Sequence, residues 1–329
     1  MRLTRRAALA GLGALAFPRD AAAVEQTRYP VSVSARPITA FEPRSPEKRR
    51  FGALQFQGGL VLSSNHPRFG GFSGLARSGG DIVAVSDRGD WLTGRLARQG
   101  GRPAALEEVE MGALLGASGR PLARSGLYDT ESLCIVDGIA YVGIERRHEV
   151  VRFDWAAQGM NARARPVPVP HEAKRLPRNR GLEALSVVPV GPLKGALVAV
   201  AERSGEENEP TLGFILTGPQ LGLFNVARHD GYDITDLAFL PSGDMLLLER
   251  WYKPLRGVGM RIRRIAGRDL RPGAVLDGPS LIEADLGSEI DNMEGLSVHL
   301  EQGRTILTLI SDDNFSFLQR TLLLEFELL

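Results

Sequence analysis

Five short segments pair a chemically useful side chain with a leucine that opens an apolar run. They read Phe72-Ser73-Gly74-Leu75, Thr130-Glu131-Ser132-Leu133, Leu182-Glu183-Ala184-Leu185, Ile234-Thr235-Asp236-Leu237 and Met293-Glu294-Gly295-Leu296. Each is followed by a second apolar run that ends in an acid: Asp87, Glu145, Glu202, Glu249 and Asp312. Oxygen-only side chains in such number suit a hard divalent cation, most naturally Ca²⁺, with Asp87, Glu145, Glu202, Glu249 and Asp312 as candidate ligands. Glu131, Glu183 and Glu294 are candidates for a general base. Arg88, Arg146, Arg203 and Arg250 directly follow four of the acids, and Arg180 lies shortly before Glu183. Arg88 or Arg180 would neutralise charge developing on a substrate. The other reading is a structural network in which arginines compensate crowded carboxylates. Asp129, Asp236, Asp291 and Asp313 are adjacent in sequence to this set.

The spacing says what must hold these residues. The leucines recur at intervals of 58, 52, 52 and 59 residues, and each lies 12 to 17 residues before its acid. Apolar runs of strand length, separated by turn signals such as Val136-Asp137-Gly138 and Pro241-Ser242-Gly243-Asp244, predict repeated antiparallel hairpins. Units that cannot bury both faces alone and recur with this period predict an all-β propeller. Five blades are counted, and a sixth is possible if strands near Val31–Ala35 and Ala53–Leu62 assemble with the C-terminal strand. The more economical arrangement uses Gly59–Ser63 to close the last blade, removing an open edge. In a hairpin the start of one strand lies beside the end of the next. Glu131 is therefore expected beside Glu145, and Glu183 beside Glu202, with all the acids collected at one mouth of the ring.

At these residues the chain resembles the phytase-like domain family, proteins described as having an esterase-like activity of phytase. The motifs that carry the resemblance are Gly71-Phe72-Ser73-Gly74-Leu75, Val85-Ser86-Asp87-Arg88-Gly89, Asp129-Thr130-Glu131-Ser132-Leu133, Gly181-Leu182-Glu183-Ala184-Leu185, Asn292-Met293-Glu294-Gly295-Leu296 and Ile310-Ser311-Asp312-Asp313-Asn314. The resemblance covers roughly residues 50–329. It implies a propeller and hydrolysis of a phosphoester or other ester, with Ca²⁺ as the implied cofactor and a small-molecule substrate. A non-catalytic propeller that binds a ligand or partner through the same face is the alternative.

Residues 1–23 combine a basic start containing Arg5 and Arg6, the apolar run Ala7–Phe17 and a small-residue end at Ala21–Ala23. That layout predicts a cleavable twin-arginine export signal, cut near Ala23, and a periplasmic mature protein. The apolar run is too short to span a bilayer. Residues 24–50 then form an N-terminal extension and 51–329 the propeller domain. The whole chain has 40 basic and 39 acidic residues. The signal carries four arginines and one aspartate, a net +3, so the whole-chain charge of +1 becomes about −2 after cleavage. Such a balance gives no field for nucleic acid. The single cysteine, Cys134, rules out an internal disulfide and is expected to be buried.

Other chemistries fit poorly. Gly71-Phe72-Ser73-Gly74-Leu75 misses the Gly-x-Ser-x-Gly nucleophile pattern by one residue. The five histidines form neither a zinc-protease motif nor Arg-His-Gly, the histidine-phosphatase signature. His66, in a loop before the first unit, remains a candidate for ligand contact.

Overall fold

The computed structural model describes residues 28–329 apart from Asn208 and Leu255; the expected export signal lies outside the described residues. The apolar runs form strands, and the one α-helix among the described residues is the four-residue Trp155–Gln158. The strands group into five sheets, antiparallel apart from one short parallel pair, Gly222–Val226 with Val275–Leu276, at the outer edge of the third. Their innermost strands are Phe72–Ser78, Thr130–Val136, Leu182–Val187, Asp233–Phe239 and Asn292–Glu301. Each packs against the next, and the fifth packs against the first, which closes a five-bladed propeller.

The second strands are Asp81–Ser86, Ile139–Ile144, Leu197–Ala201, Met245–Lys253 and Arg304–Asp312. Closure of the fifth blade joins the chain's two ends. Leu54–Ser63 pairs antiparallel with Thr321–Leu328 and carries Ser34–Ile38 as a further outer strand. Arg28–Pro30 adds an outer strand to the first blade. The sixth blade is therefore not formed, because the N-terminal strands complete existing sheets.

Strand faces are apolar on both sides because each blade is covered by two neighbours. Between the first two blades Trp91 meets Phe153 edge-on at 5.1 Å, surrounded by buried Val85, Leu133 and Val142. Between the fourth and fifth blades Leu246, Leu248 and Ile262 pack on Leu307, Leu309 and Phe326. Each such fully buried side chain contributes about 1.5–3 kcal/mol. Cys134 is buried in this framework, and burial pushes its thiol up to about 11.

Candidate functional site: a carboxylate collar at one mouth of the channel

Every inner strand carries a β-bulge at the same place. In the first blade Phe72 pairs with Ser86 and Gly74 with Val85, so Ser73 is skipped. The corresponding skipped residues are Glu131, Glu183, Thr235 and Glu294. A bulge re-aims one side chain while the rest of the strand keeps its register. The five motif residues therefore share one local geometry and lie at one end of the channel.

Two of the five are used as stitches. Ser73 Oγ donates to the carbonyl of Thr130 in the next blade at 2.7 Å, and Thr235 Oγ1 donates to that of Met293 at 3.1 Å. Ser73 thus ties blades together, its hydroxyl hydrogen already donated to a backbone carbonyl instead of to a base. The other three are glutamates. Burial, followed by the charges of Glu294, Asp129, Glu145 and Asp312, drives Glu131 well above the usual carboxylate range. Glu183 is driven the same way by burial and then by Glu131, Glu202, Glu145 and Glu294. Burial also raises Glu294, against the opposing effects of Arg250 and of Asn292, whose Nδ2 donates to Glu294 Oε1 at 2.7 Å.

The second strands supply the outer half of the collar. Asp87, Glu145, Glu202 and Asp312 each follow the residue paired with the last position before the bulge: Ser86, Ile144, Ala201 and Ser311. Burial lifts Asp87 to about 6, Glu202 to about 7 and Asp312 to about 8, and it also raises Glu145. Carboxylate oxygens of Asp129, Glu131 and Glu145 lie within 4.8 Å of one another, and so do those of Glu145, Glu183 and Glu202. Glu145 belongs to both triplets. Its Oε1 accepts the Gly181 N–H at 3.2 Å, which fixes it between the second and third blades. Among the described residues no Lys or Arg lies within 4.0 Å of Glu131, Glu145 or Glu183.

The fourth blade departs from the pattern. There Ile234, just before the bulge, pairs with Glu249 itself, so the collar position falls one residue later on Arg250. Glu249, expected as a ligand, is instead turned into the blade and fully buried. Its carboxylate takes the guanidinium of Arg261 at 2.7 Å and that of Arg263 at 2.5 Å, both from the neighbouring strand Gly257–Ile265. Arg250 reaches into the collar, 3.4 Å from Glu294 and 3.8 Å from Glu202.

The two arginines singled out for charge neutralisation sit at the rim. Arg88 is exposed, stacks over Phe315 at 3.3 Å and donates to the Pro67 carbonyl at 3.3 Å. Arg180 is exposed in the loop leading into Glu183. Asp313 and Asp236 are engaged by the fold. Asp313 accepts from the N–H groups of Gly71 and Phe315 and from Thr321, while Asp236 binds backbone N–H groups. His66 stacks on Tyr29 at 4.8 Å.

Asp129 is a collar member that spacing alone did not single out. It occupies the motif position held by Gly71 and Gly181, with a left-handed φ of 70° that Asp adopts more readily than most residues. Its N–H donates to the Asp87 carbonyl at 2.7 Å and its carbonyl accepts the Glu145 N–H at 2.9 Å. At Gly71 a side chain would strike Phe315 and the Asp87 carboxylate at about 2.5 Å, so that position requires glycine.

Below the collar, the five motif leucines, Leu75, Leu133, Leu185, Leu237 and Leu296, line a cavity of about 380 Å³ at the other end of the channel. The two mouths are thus chemically distinct, acidic at one end and mainly apolar at the other.

Comparison with solved structures finds matches of low sequence identity. Glutaminyl cyclase from Myxococcus xanthus is 12% identical, covering 92% of this chain and 100% of that one with a TM-score of 0.42. The allergen Mala s 1 of Malassezia sympodialis is 11% identical over 91% and 96%, with a TM-score of 0.43. PQQ-bound aldose sugar dehydrogenase from Streptomyces coelicolor is 13% identical over 91% and 99%, with a TM-score of 0.40. Comparison with curated proteins gives no match. The profile described as phytase-like, esterase-like activity of phytase, matches residues 67–315, which hold all five bulges and every collar residue. The chain belongs to the phytase-like family.

Proposed function

We propose that this protein is an exported, periplasmic hydrolase of a small phosphoester or other ester, acting at the carboxylate collar with the help of a bound divalent cation. The observation that carries this reading is the pair of carboxylate triplets sharing Glu145, in which Glu131, Glu145 and Glu183 have no Lys or Arg within 4.0 Å among the described residues; only the outer members are paired, Asp129 with Arg146 at 2.6 Å and Glu202 with Arg250 at 3.8 Å. Their donors are oxygens only, the set preferred by Ca²⁺. Asp129, Glu131, Glu145, Glu183 and Glu202 would hold the ion. When bound, it would polarise the ester oxygen and lower the pKa of a nearby water.

Glu294 stands outside both triplets and is oriented by Asn292, so it takes the role of general base. It would accept a proton from the attacking water as that oxygen bonds to phosphorus or the carbonyl carbon, and return it to the alcohol oxygen as the bond from that atom to the leaving oxygen breaks. Arg88 and Arg180, exposed at the rim, would draw an anionic substrate toward the mouth.

The test is a metal analysis of the mature protein together with turnover of aryl phosphates and aryl esters with and without Ca²⁺. Glu183→Gln is expected to lose both Ca²⁺ binding and turnover. Glu294→Gln is expected to keep Ca²⁺ binding and lose turnover at least 100-fold. Ca²⁺-dependent stabilisation without turnover across the panel would support a binding propeller instead.

A further inference from the structure

The fourth blade places a cation at the one collar position where the other four blades place carboxylates. Buried Arg263 and Arg228 have every nitrogen occupied, while Arg77, paired with Glu325 and lining the apolar end of the channel, keeps one buried, unpartnered Nη2. Arg263 binds Glu249, Asp277 and the Ala227 carbonyl, and Arg228 binds Asp233 and the carbonyls of Tyr232 and Glu206. Arg250 differs. Its Nε is buried and unpartnered, and its nearest carboxylate oxygens lie at 3.4 and 3.8 Å, too long or too poorly directed for strong hydrogen bonds. A guanidinium at the collar mouth with a buried, unpartnered Nε, flanked by Glu202 of one carboxylate triplet and by Glu294, is arranged to take a further acceptor.

We infer that Arg250 receives the anionic phosphoryl group of the substrate, so that the collar is built for phosphomonoesters in preference to neutral esters. The inference rests on the proposed cation-assisted site and deepens it. A planar fork of N–H donors matches two oxygens of a tetrahedral phosphoryl group, whereas a neutral acyl ester offers a single carbonyl oxygen. Glu202 belongs to one triplet and lies 3.8 Å from Arg250, so an oxyanion received by Arg250 would be close to the residues that would hold the cation. Glu202 and Glu294 keep the guanidinium charged and hold it over the mouth. Arg250 is thus a specificity-determining residue.

The probe is inorganic phosphate, titrated calorimetrically into the mature protein with saturating Ca²⁺. Wild type is expected to bind it. Arg250→Gln is expected to weaken binding at least tenfold, and Arg250→Lys to fall between, because an ammonium keeps the charge and loses the fork. Circular dichroism and Ca²⁺ titration of the same variants report folding and cation binding, which a purely structural role would move together with phosphate affinity. If p-nitrophenyl phosphate and p-nitrophenyl acetate are both turned over, Arg250→Gln should lower their kcat/KM ratio at least tenfold. Absence of phosphate binding by wild type, equal binding by Arg250→Gln, or loss that merely tracks lost Ca²⁺ binding overturns the inference. Phosphate bound through Arg250 without turnover of either ester overturns the hydrolytic reading and leaves the inference standing.

Discussion

Asp236 in the fourth blade accepts the backbone N–H of Leu296 in the fifth at 2.7 Å, and its other oxygen accepts the N–H of Leu237 at 2.8 Å. The residue is fully buried, and burial raises its pKa far above the usual range despite these donors. Asp236 thus clamps two inner strands directly beneath the collar. Asp236→Ala leaves two buried N–H groups without an acceptor and should cost roughly 2–4 kcal/mol, read as a lower urea midpoint at unchanged slope.

The collar makes the cation-free protein sensitive to pH. In the folded state Asp87 sits near 6, Glu202 near 7 and Asp312 near 8, against ordinary values of 3.8, 4.5 and 3.8. Because these pKa values are raised, the folded chain holds protons that the unfolded chain has released. The contribution to stability is complete below about pH 4 and is lost as pH rises toward 8, by about 1.4 kcal/mol per pH unit for each such proton. The Tm of chelated protein should therefore fall across this window, and added Ca²⁺ should raise Tm more at pH 8 than at pH 5.

Glu145 and Glu249, which follow their leucines at the same spacing, should respond in opposite ways. Glu145→Gln removes the carboxylate common to both triplets and is expected to weaken Ca²⁺ binding at least tenfold by calorimetry. Glu249→Gln strands Arg261 and Arg263 and is expected to destabilise by roughly 3–5 kcal/mol. Its Ca²⁺ affinity, measured where the variant is folded, should match wild type.

Ser73→Ala tests whether the near-match to a nucleophile motif means anything chemically. The substitution deletes one buried hydrogen bond to the Thr130 carbonyl and should cost about 1–2 kcal/mol. Turnover of any ester that the wild type hydrolyses should persist; its abolition in a folded variant would make Ser73 part of the chemistry.

The sequence by itself determined the repeat, the five leucines, the absence of long helices among the described residues, and the convergence of Glu131, Glu183 and Glu294. These follow from local patterns, since the same motif read five times at a near-constant period has to meet its copies around an axis. It also placed Glu145 beside Glu131 and Glu202 beside Glu183, because hairpin geometry is short-range.

What it could not decide was the fourth blade. Leu237 lies 12 residues before Glu249, the same count as Leu75 before Asp87, yet the collar position is the thirteenth, Arg250. Side chains alternate across a strand, so one additional residue in the hairpin turned Glu249 away and Arg250 inward. That register is set by how the turn packs and by the two arginines that receive Glu249 from the next strand. Asp129 entered the collar for a similar reason: its place depends on backbone hydrogen bonds to Asp87 and Glu145, residues 42 and 16 positions away, which only the closed ring brings together.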